Sequence, residues 1–356
     1  NKGNYFFDGV SINSKNIKSN NLFIAIKGKT KDGHNFLNEA IQKGANHCIV
    51  SKNIKKKYKP IKVNNSMTFL KALGQKTRDL SSAKFIAVTG STGKTTVKTI
   101  LGDLLKRYSE TYFSPQSYNN HYGVPLSLSN IEPKHSFGVF EVGMSNFQEI
   151  FKLSSMVKPE IGVITNISEA HLENFNNIRD IAKAKSEIIY NIKKGGTIIL
   201  NQDDKFFNYF EKIARNNNIK IKSFGYSKKA DVRFLKIKNN KKNFILKLSV
   251  NKENIVFKIN SSNKNYIMNL LCCVAVLDEL CLNLENVNSF FKTLKSLKGR
   301  GRIKKVSKFG KNFFLVDESY NANPLSMKSA VENFSNIKKK GKKKYFLFGD
   351  MMELGR

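Results

Sequence analysis

The segment from Phe85 to Val97 restricts what this chain can fold into more than any other stretch. A short apolar run, Phe85-Ile86-Ala87-Val88, ends in Thr89-Gly90-Ser91-Thr92-Gly93-Lys94-Thr95-Thr96, and apolar residues then recur at Val97, Ile100, Leu101, Leu104 and Leu105. The first pattern is a buried strand and the last is one face of a helix. Between them Gly90 and Gly93 permit a tight turn whose N–H groups converge, and the helix start adds a partial positive charge at the same point. Such a turn cradles phosphate. Lys94 reaches the β/γ-phosphates and the Thr95 hydroxyl ligates Mg²⁺. A chance pair of glycines in an ordinary strand–turn–helix is the alternative, but the flanking elements are the context a phosphate loop demands. The longer form of that loop carries glycine where this chain has Val88, so this is the shortened form Gly90-x-x-Gly93-Lys94-Thr95-Thr96.

Strand and helix patterns alternate around this unit. Apolar runs predict strands over 85–88, 137–142, 161–165 and 197–200, with helices over 97–107, 148–153 and 179–192. That is a doubly wound α/β pattern, with ligands expected at the strand C-termini. Ahead of it, strands over 22–26 and 48–50 and helices over 36–43 and 67–80 predict a separate α/β layer. Behind it, strands over 244–250 and 255–259 predict an antiparallel flap, followed by a helix over 266–282. The character changes at Gly299-Arg300-Gly301-Arg302, where strands over 313–317 and 345–348 flank a helix over 326–334. Two strands and a helix cannot cover both faces of a sheet, so this last unit reads as cut short. The chain also begins without Met, so the start of the first unit reads as missing.

The chain carries 62 Lys and Arg against 27 Asp and Glu, a net charge of +35, which alone suggests nucleic acid or an anionic membrane. The excess is spread along the chain together with abundant Asn, Ile and Phe, as an AT-rich coding bias would spread it. The denser runs, Lys55-Lys56-Lys57 and 338–344, lack the aromatic interleaving of a base-stacking surface and read as solvated loops. Positive charge also favours polyanionic substrates such as nucleotides. Cys48, Cys272, Cys273 and Cys281 form no Cys-x-x-Cys pair and no zinc spacing. The last three share one apolar helical stretch and read as small core residues in a reducing cytoplasm. No apolar run is long enough to span a bilayer.

Five further segments carry chemistry. Glu141 ends an apolar strand, where a carboxylate either faces the nucleotide crevice as a Mg²⁺ ligand or is simply a charge in water. His171 falls in the loop after the next strand, placed to share a metal with Glu141 or to lie on the surface. Lys183 and Lys185 cannot share a helix face, so one can enter the crevice while the other is solvated; both solvated is the ordinary outcome. The polar loops Asn119-Asn120-His121-Tyr122-Gly123-Val124-Pro125-Leu126 and Asp317-Glu318-Ser319-Tyr320-Asn321-Ala322-Asn323-Pro324 are either binding loops or plain turns.

Taken in order, these segments resemble the ATP-dependent Mur ligase family over the whole chain. Residues 11–17, 21–28 and 32–36 are similar to its nucleotide-sugar-binding domain, and 89–96 to its shortened phosphate loop. Phe140-Glu141-Val142-Gly143, Ala170-His171-Leu172-Glu173 and Ala182-Lys183-Ala184-Lys185-Ser186-Glu187 follow in the family's order. Segments 317–324 and 348–355 most resemble the branch that joins D-alanyl-D-alanine to UDP-MurNAc-tripeptide.

The resemblance implies an α/β, three-domain architecture. A nucleotide-sugar domain would occupy 1–82 and a central doubly wound ATP-binding P-loop domain 83–298. A Rossmann-like ligase domain would begin at 299 and stop at 356, roughly a hundred residues early. It implies ATP and Mg²⁺ as cofactors, those two small-molecule substrates, no nucleic acid, and a monomer in the cytoplasm. Carried over by position, Gly90, Ser91, Thr92, Gly93, Lys94, Thr95 and Thr96 hold the ATP phosphates, with Mg²⁺ on Thr95. Glu141, His171 and a carbamylated Lys185 hold a second Mg²⁺, which makes Lys94, His171 and Lys185 the catalytic set. Asn269 meets the adenine, and Asp317, Asn321 and Asn323 lie at the ATP. Either Arg300 or Arg302 contacts the nucleotide; spacing does not decide. Asn13-Ser14-Lys15 replaces the family's Asp-Ser-Arg, and Asn265-Tyr266 its His-Asn. The implied reaction forms an acyl phosphate from the tripeptide carboxylate and ATP, which the dipeptide amine then attacks. The rivals are a sibling amide ligase, including a folylpolyglutamate synthetase, and a basic P-loop protein acting on nucleic acid, whose binding would fall steeply with salt.

Overall fold

The computed structural model describes residues 5–169, 172–240, 243–294, 297–308, 310–320, 322–337 and 343–351. Strands β1 (Gly9–Ser11), β2 (Asn21–Ile24), β3 (Ala45–Val50) and β4 (Pro60–Lys62) pair in parallel, in chain order. Alternation sorts their side chains. Phe23, Cys48 and Val50 pack with Leu37 and Ala40 of α1 (Leu37–Gln42), whereas Leu22, Ile24 and Ile49 pack with Leu70 of α2 (Ser66–Leu80).

Three contacts fix this layer to the next unit. Gly74 in α2 crosses the Pro125 carbonyl so closely that a Cβ would stand 2.6 Å from its oxygen. Buried Arg78 donates to the carbonyls of Val157 (2.5 Å) and Lys158 (2.7 Å), with its guanidinium 3.8 Å from the centroid of the Phe85 ring. Asn130 closes the free edge of β1, accepting from Val10 N–H (2.9 Å) and donating to Val10 O (3.1 Å).

The second sheet joins nine strands: β5 (Lys84–Thr89), β6 (Thr111–Phe113), β7 (Phe137–Glu141), β8 (Ile161–Ile164), β9 (Thr197–Asn201), β10 (Lys220–Gly225), β11 (Val232–Asn240), β12 (Asn243–Val250) and β13 (Glu253–Ile259). Their order is β13-β12-β11-β10-β9-β8-β5-β7-β6, parallel from β6 to β11 and antiparallel beyond. Helices α3 (Lys94–Leu105), α4 (Gly123–Leu128), α5 (Glu149–Val157), α6 (Ile178–Ser186), α7 (Phe207–Asn216), α8 (Lys264–Glu279) and α9 (Asn288–Thr293) cover both faces. Ile86, Val88, Val163 and Ile199 point to one core with α3 and α8; Phe85, Ala87, Ile198 and Leu200 point to the other with α5 and α6. Burial on both faces is why these strands read as continuous apolar runs. A last unit holds an antiparallel pair, β14 (Arg302–Lys308) and β15 (Lys311–Asp317), and helix α10 (Pro324–Asn336).

Several expectations are corrected. The region predicted as a flap is the edge of the main sheet itself, because β10 pairs with β11. The helix expected to 192 ends at Ser186 and gives way to a 3₁₀ turn, Ile189–Asn191. The helix expected to 282 ends at Glu279, so Cys281 lies past it, exposed and at φ +56°, outside the core. Residues 345–348 form no strand, and Leu347 is 98% exposed. An apolar run makes a strand only with a ladder partner and a packed face, and among the described residues it has neither. β14 carries no strand signal in sequence, because its only apolar residues, Ile303 and Val306, stand three apart and face opposite sides. No helix among the described residues is long and apolar enough to cross a membrane.

Candidate active site

Strand β5 lies between β7 and β8, so the loop after it opens where the chain switches direction across the sheet, the position at which such sheets bind ligands. Two glycines are sterically required there. Gly90 has φ +143°, and a Cβ would stand 1.9 Å from Thr165 Oγ1; Gly93 has φ +82°, and a Cβ would stand 2.7 Å from Asn269 Oδ1. Gly93 also caps α3, whose first residue is Lys94. The Lys94 ammonium folds back over the loop, donating to the carbonyls of Gly90 (2.8 Å) and Ser91 (3.4 Å).

The sequence did not reveal what holds the loop rigid. The segment that leaves β8 does so. Thr165 Oγ1 donates to Thr92 O (2.5 Å), and Asn166 Oδ1 accepts from Thr92 N–H (3.0 Å) while its Nδ2 donates to Thr92 Oγ1 (2.8 Å). Ser91 Oγ donates to Ser168 O (3.0 Å) and accepts from Ser168 N–H (2.9 Å). Thr165 and Asn166 clamp with short polar side chains and Ser168 with its backbone, a pattern that in sequence looks like turn chemistry.

On the β7 side Glu141 is buried. Its Oε1 accepts from Asn119 Nδ2 (2.8 Å), whereas Oε2 has no hydrogen-bond partner. A buried carboxylate oxygen left open is costly unless a cation or ligand meets it. Together with the Thr95 hydroxyl it supplies hard oxygen donors suited to Mg²⁺. Among the described residues no three His, Cys, Asp or Glu cluster to form a protein-only metal cage. His171 lies outside the described residues.

Lys185 of α6 is buried and lines the same cavity of about 400 Å³ as Lys94, Thr95 and Glu141, whereas Lys183 is exposed. Burial, and then the charge of Lys94, hold the Lys185 amine well below the usual lysine range.

The last unit closes the cavity. Arg300 Nη2 donates to Thr95 Oγ1 (3.0 Å), its guanidinium lies 4.1 Å from the Tyr320 ring centroid, and the Tyr320 hydroxyl bonds Ser117 Oγ. Gly299 (φ +73°) and Gly301 (φ +82°) flank Arg300. Arg302 lies on exposed β14, opposite Asp317. Geometry thus separates two arginines that spacing left equal. Arg300→Ala is expected to weaken ATP binding or turnover by on the order of tenfold or more, and Arg302→Ala by less than about threefold. Parallel titrations of the two variants check this.

Asn269 and Thr96 line the larger adjoining cleft of about 1640 Å³ with Arg300 and Arg302. The Asp317 carboxylate accepts from Ser319 N–H (3.2 Å) and Oγ (2.6 Å), which lowers its pKa. Asn323 is committed to capping α10, accepting from Ser326 N–H (2.8 Å). Asn321 lies outside the described residues.

Residues 88–277 match the Mur ligase middle domain, and residues 7–78 match the Mur ligase family, catalytic domain. The UDP-N-acetylmuramoyl-tripeptide–D-alanyl-D-alanine ligase of Rickettsia prowazekii is 35% identical over 349 residues, covering 97% of this chain and 76% of that protein. MurF from Acinetobacter baumannii superposes with a TM-score of 0.83 at 29% identity, covering 97% of this chain and 74% of that one. MurF ligase from Thermotoga maritima in complex with ADP superposes with a TM-score of 0.79 at 27% identity, covering 98% and 78%.

Proposed function

The chain belongs to the Mur ligase family, and from that premise we propose that it joins D-alanyl-D-alanine to UDP-MurNAc-tripeptide in peptidoglycan synthesis, using ATP. The observation that carries the reading is the convergence of Lys94, Thr95, Glu141 and Lys185 on one cavity at the sheet's switch point. The tripeptide carboxylate attacks the ATP γ-phosphoryl group and ADP leaves; the dipeptide amine then attacks the acyl carbon and phosphate leaves. The chain's part is positioning and charge neutralisation. Lys94 and the N–H groups from Gly90 to Thr96 hold the phosphates. Asn269 and Arg300 would meet the nucleotide, and the family resemblance adds Asp317, Asn321 and Asn323 as further ATP-side residues. Thr95 would hold one Mg²⁺, and Glu141, His171 and the carbamate of Lys185 a second. When bound, Mg²⁺ neutralises charge developing on the phosphate oxygens.

In this reading residues 1–82 take the UDP-sugar, 83–298 take ATP, and 299–356 belong to the ligase domain. The enzyme acts as a cytoplasmic monomer. Phosphate release from ATP tests the proposal. Release is expected to require both UDP-MurNAc-tripeptide and D-alanyl-D-alanine. Release that ignores both substrates, or responds instead to nucleic acid, would overturn it.

A further inference from the structure

Helix α3 carries a buried lysine that the reaction as described does not use. Lys98 lies one turn beyond Lys94 and is 1% exposed. Its ammonium donates to the carbonyls of Ser114 (2.7 Å) and Gln116 (2.8 Å). A buried cation is costly, so one that is retained must be well paired. Its two acceptors belong to a strap, residues 114–119, that leaves β6 and runs beneath the cavity. The strap is bent against its own preference, since Gln116 has φ +46° without being glycine.

Each part of the strap touches a group at the site. Ser114 Oγ accepts from the Glu141 N–H (3.2 Å), and Ser114 N–H donates to Val139 O (3.0 Å), which fixes the end of β7. Ser117 Oγ stands 3.2 Å from Thr95 Oγ1 and bonds the Tyr320 hydroxyl of the last unit. Asn119 donates to Glu141 Oε1 (2.8 Å), and its carbonyl accepts from Gly143 N–H (2.8 Å). The strap thus reaches Thr95, Glu141 and Tyr320, which sequence separates widely, and Lys98 is the side chain that grips it from inside.

We propose that Lys98 is a positioning residue for the metal-nucleotide site: it holds the 114–119 strap so that Thr95 and Glu141 face one another and Tyr320 has a fixed seat. The inference rests on the reading of Thr95 and Glu141 as metal ligands. Burial lowers the Lys98 pKa to about 8, with the Glu141 carboxylate opposing that shift, so at neutral pH the group is still mainly a cation. Charge-assisted bonds to two carbonyls are what a neutral isostere cannot make.

Lys98→Met keeps an unbranched side chain, one atom shorter, and removes those donors. The measurement is Mn²⁺ binding in the presence of ADP, followed by electron paramagnetic resonance, with ADP affinity measured separately in chelator. Lys98→Met is expected to weaken Mn²⁺ by about 10- to 100-fold, as loss of a group that orients a metal ligand does. Metal-free ADP affinity should stay within about threefold. In turnover the loss should fall on kcat rather than on KM for ATP. Lys106→Met, which removes an exposed charge at the end of the same helix, is the control expected to match wild type.

If folded Lys98→Met binds Mn²⁺ as wild type does, or loses Mn²⁺ and metal-free ADP equally, the proposal fails. If Lys98→Met does not fold, Ser117→Ala decides: weaker Mn²⁺ with unchanged ADP supports the strap, and unchanged Mn²⁺ rejects it. Wild type that binds no Mn²⁺ with ADP would overturn the metal reading itself and this inference with it.

Discussion

Lys94→Ala is expected to cut ATP turnover on the order of 10²- to 10³-fold, the scale lost when one preorganised donor to developing charge is removed. The residue heads α3 with its ammonium folded onto the carbonyls of Gly90 and Ser91. To meet a phosphate it need only swing from those carbonyls, because Gly90, Gly93 and the Thr165–Ser168 clamp already set the path of the loop. The stability cost is small by comparison. Two hydrogen bonds to carbonyls at a half-buried loop contribute about 1 kcal/mol each, and water can replace the ammonium. Melting and turnover of one sample separate these effects. A folded variant with unchanged turnover would refute the phosphate-loop assignment.

Lys185→Met is expected to lose at least about 10²-fold in ligation while melting no lower than the native protein. A lysine buried beside Lys94 has its amine pKa held well down, so the folded state disfavours the proton that the unfolded chain still binds. The sign follows directly. Stability rises with pH up to the ordinary lysine pKa, and the penalty is fullest below the folded-state value. Methionine removes that penalty, so in CO₂-free buffer the variant's advantage should shrink as pH rises from neutral towards the ordinary lysine pKa. The same shift favours the neutral amine, which can add CO₂ and release a proton to give a carbamate anion. Lys185→Ala regaining ligation with a small added carboxylate would support that role. Full activity without it would reject the role, and so would a melting temperature that falls sharply at neutral pH.

What the sequence disclosed and what it withheld divide along contact range. The phosphate loop was legible because strand, glycines, lysine and helix are neighbours, and their spacing alone encodes the geometry. Glu141 was legible because a carboxylate ending an apolar strand in an α/β sheet has few other places to go. The cap at Asn323 is written locally too, in Asn323-Pro324-Leu325-Ser326. The choice of Arg300 over Arg302 was not, since a donor to Thr95 some two hundred residues earlier leaves no trace in local pattern. Lys98 was hidden for a related reason. A helical lysine is normally solvated, and only the tertiary path of residues 114–119 turns this one inward. β14 was illegible for another reason: its only apolar residues, Ile303 and Val306, stand three apart and so show no alternation, which an exposed two-stranded sheet scarcely needs.

The three contacts at Gly74, Arg78 and Asn130 have a mechanical consequence. They rivet the first sheet to the second, each seating a glycine or a side chain directly on a backbone group of the other unit. The last unit is joined differently, through Gly299 and Gly301 on either side of Arg300, with the Tyr320 hydroxyl on Ser117 as its far purchase. The joint of the last unit and its hold on the nucleotide loop are therefore one residue: whatever seats Arg300 between its two glycines also sets its bond to Thr95.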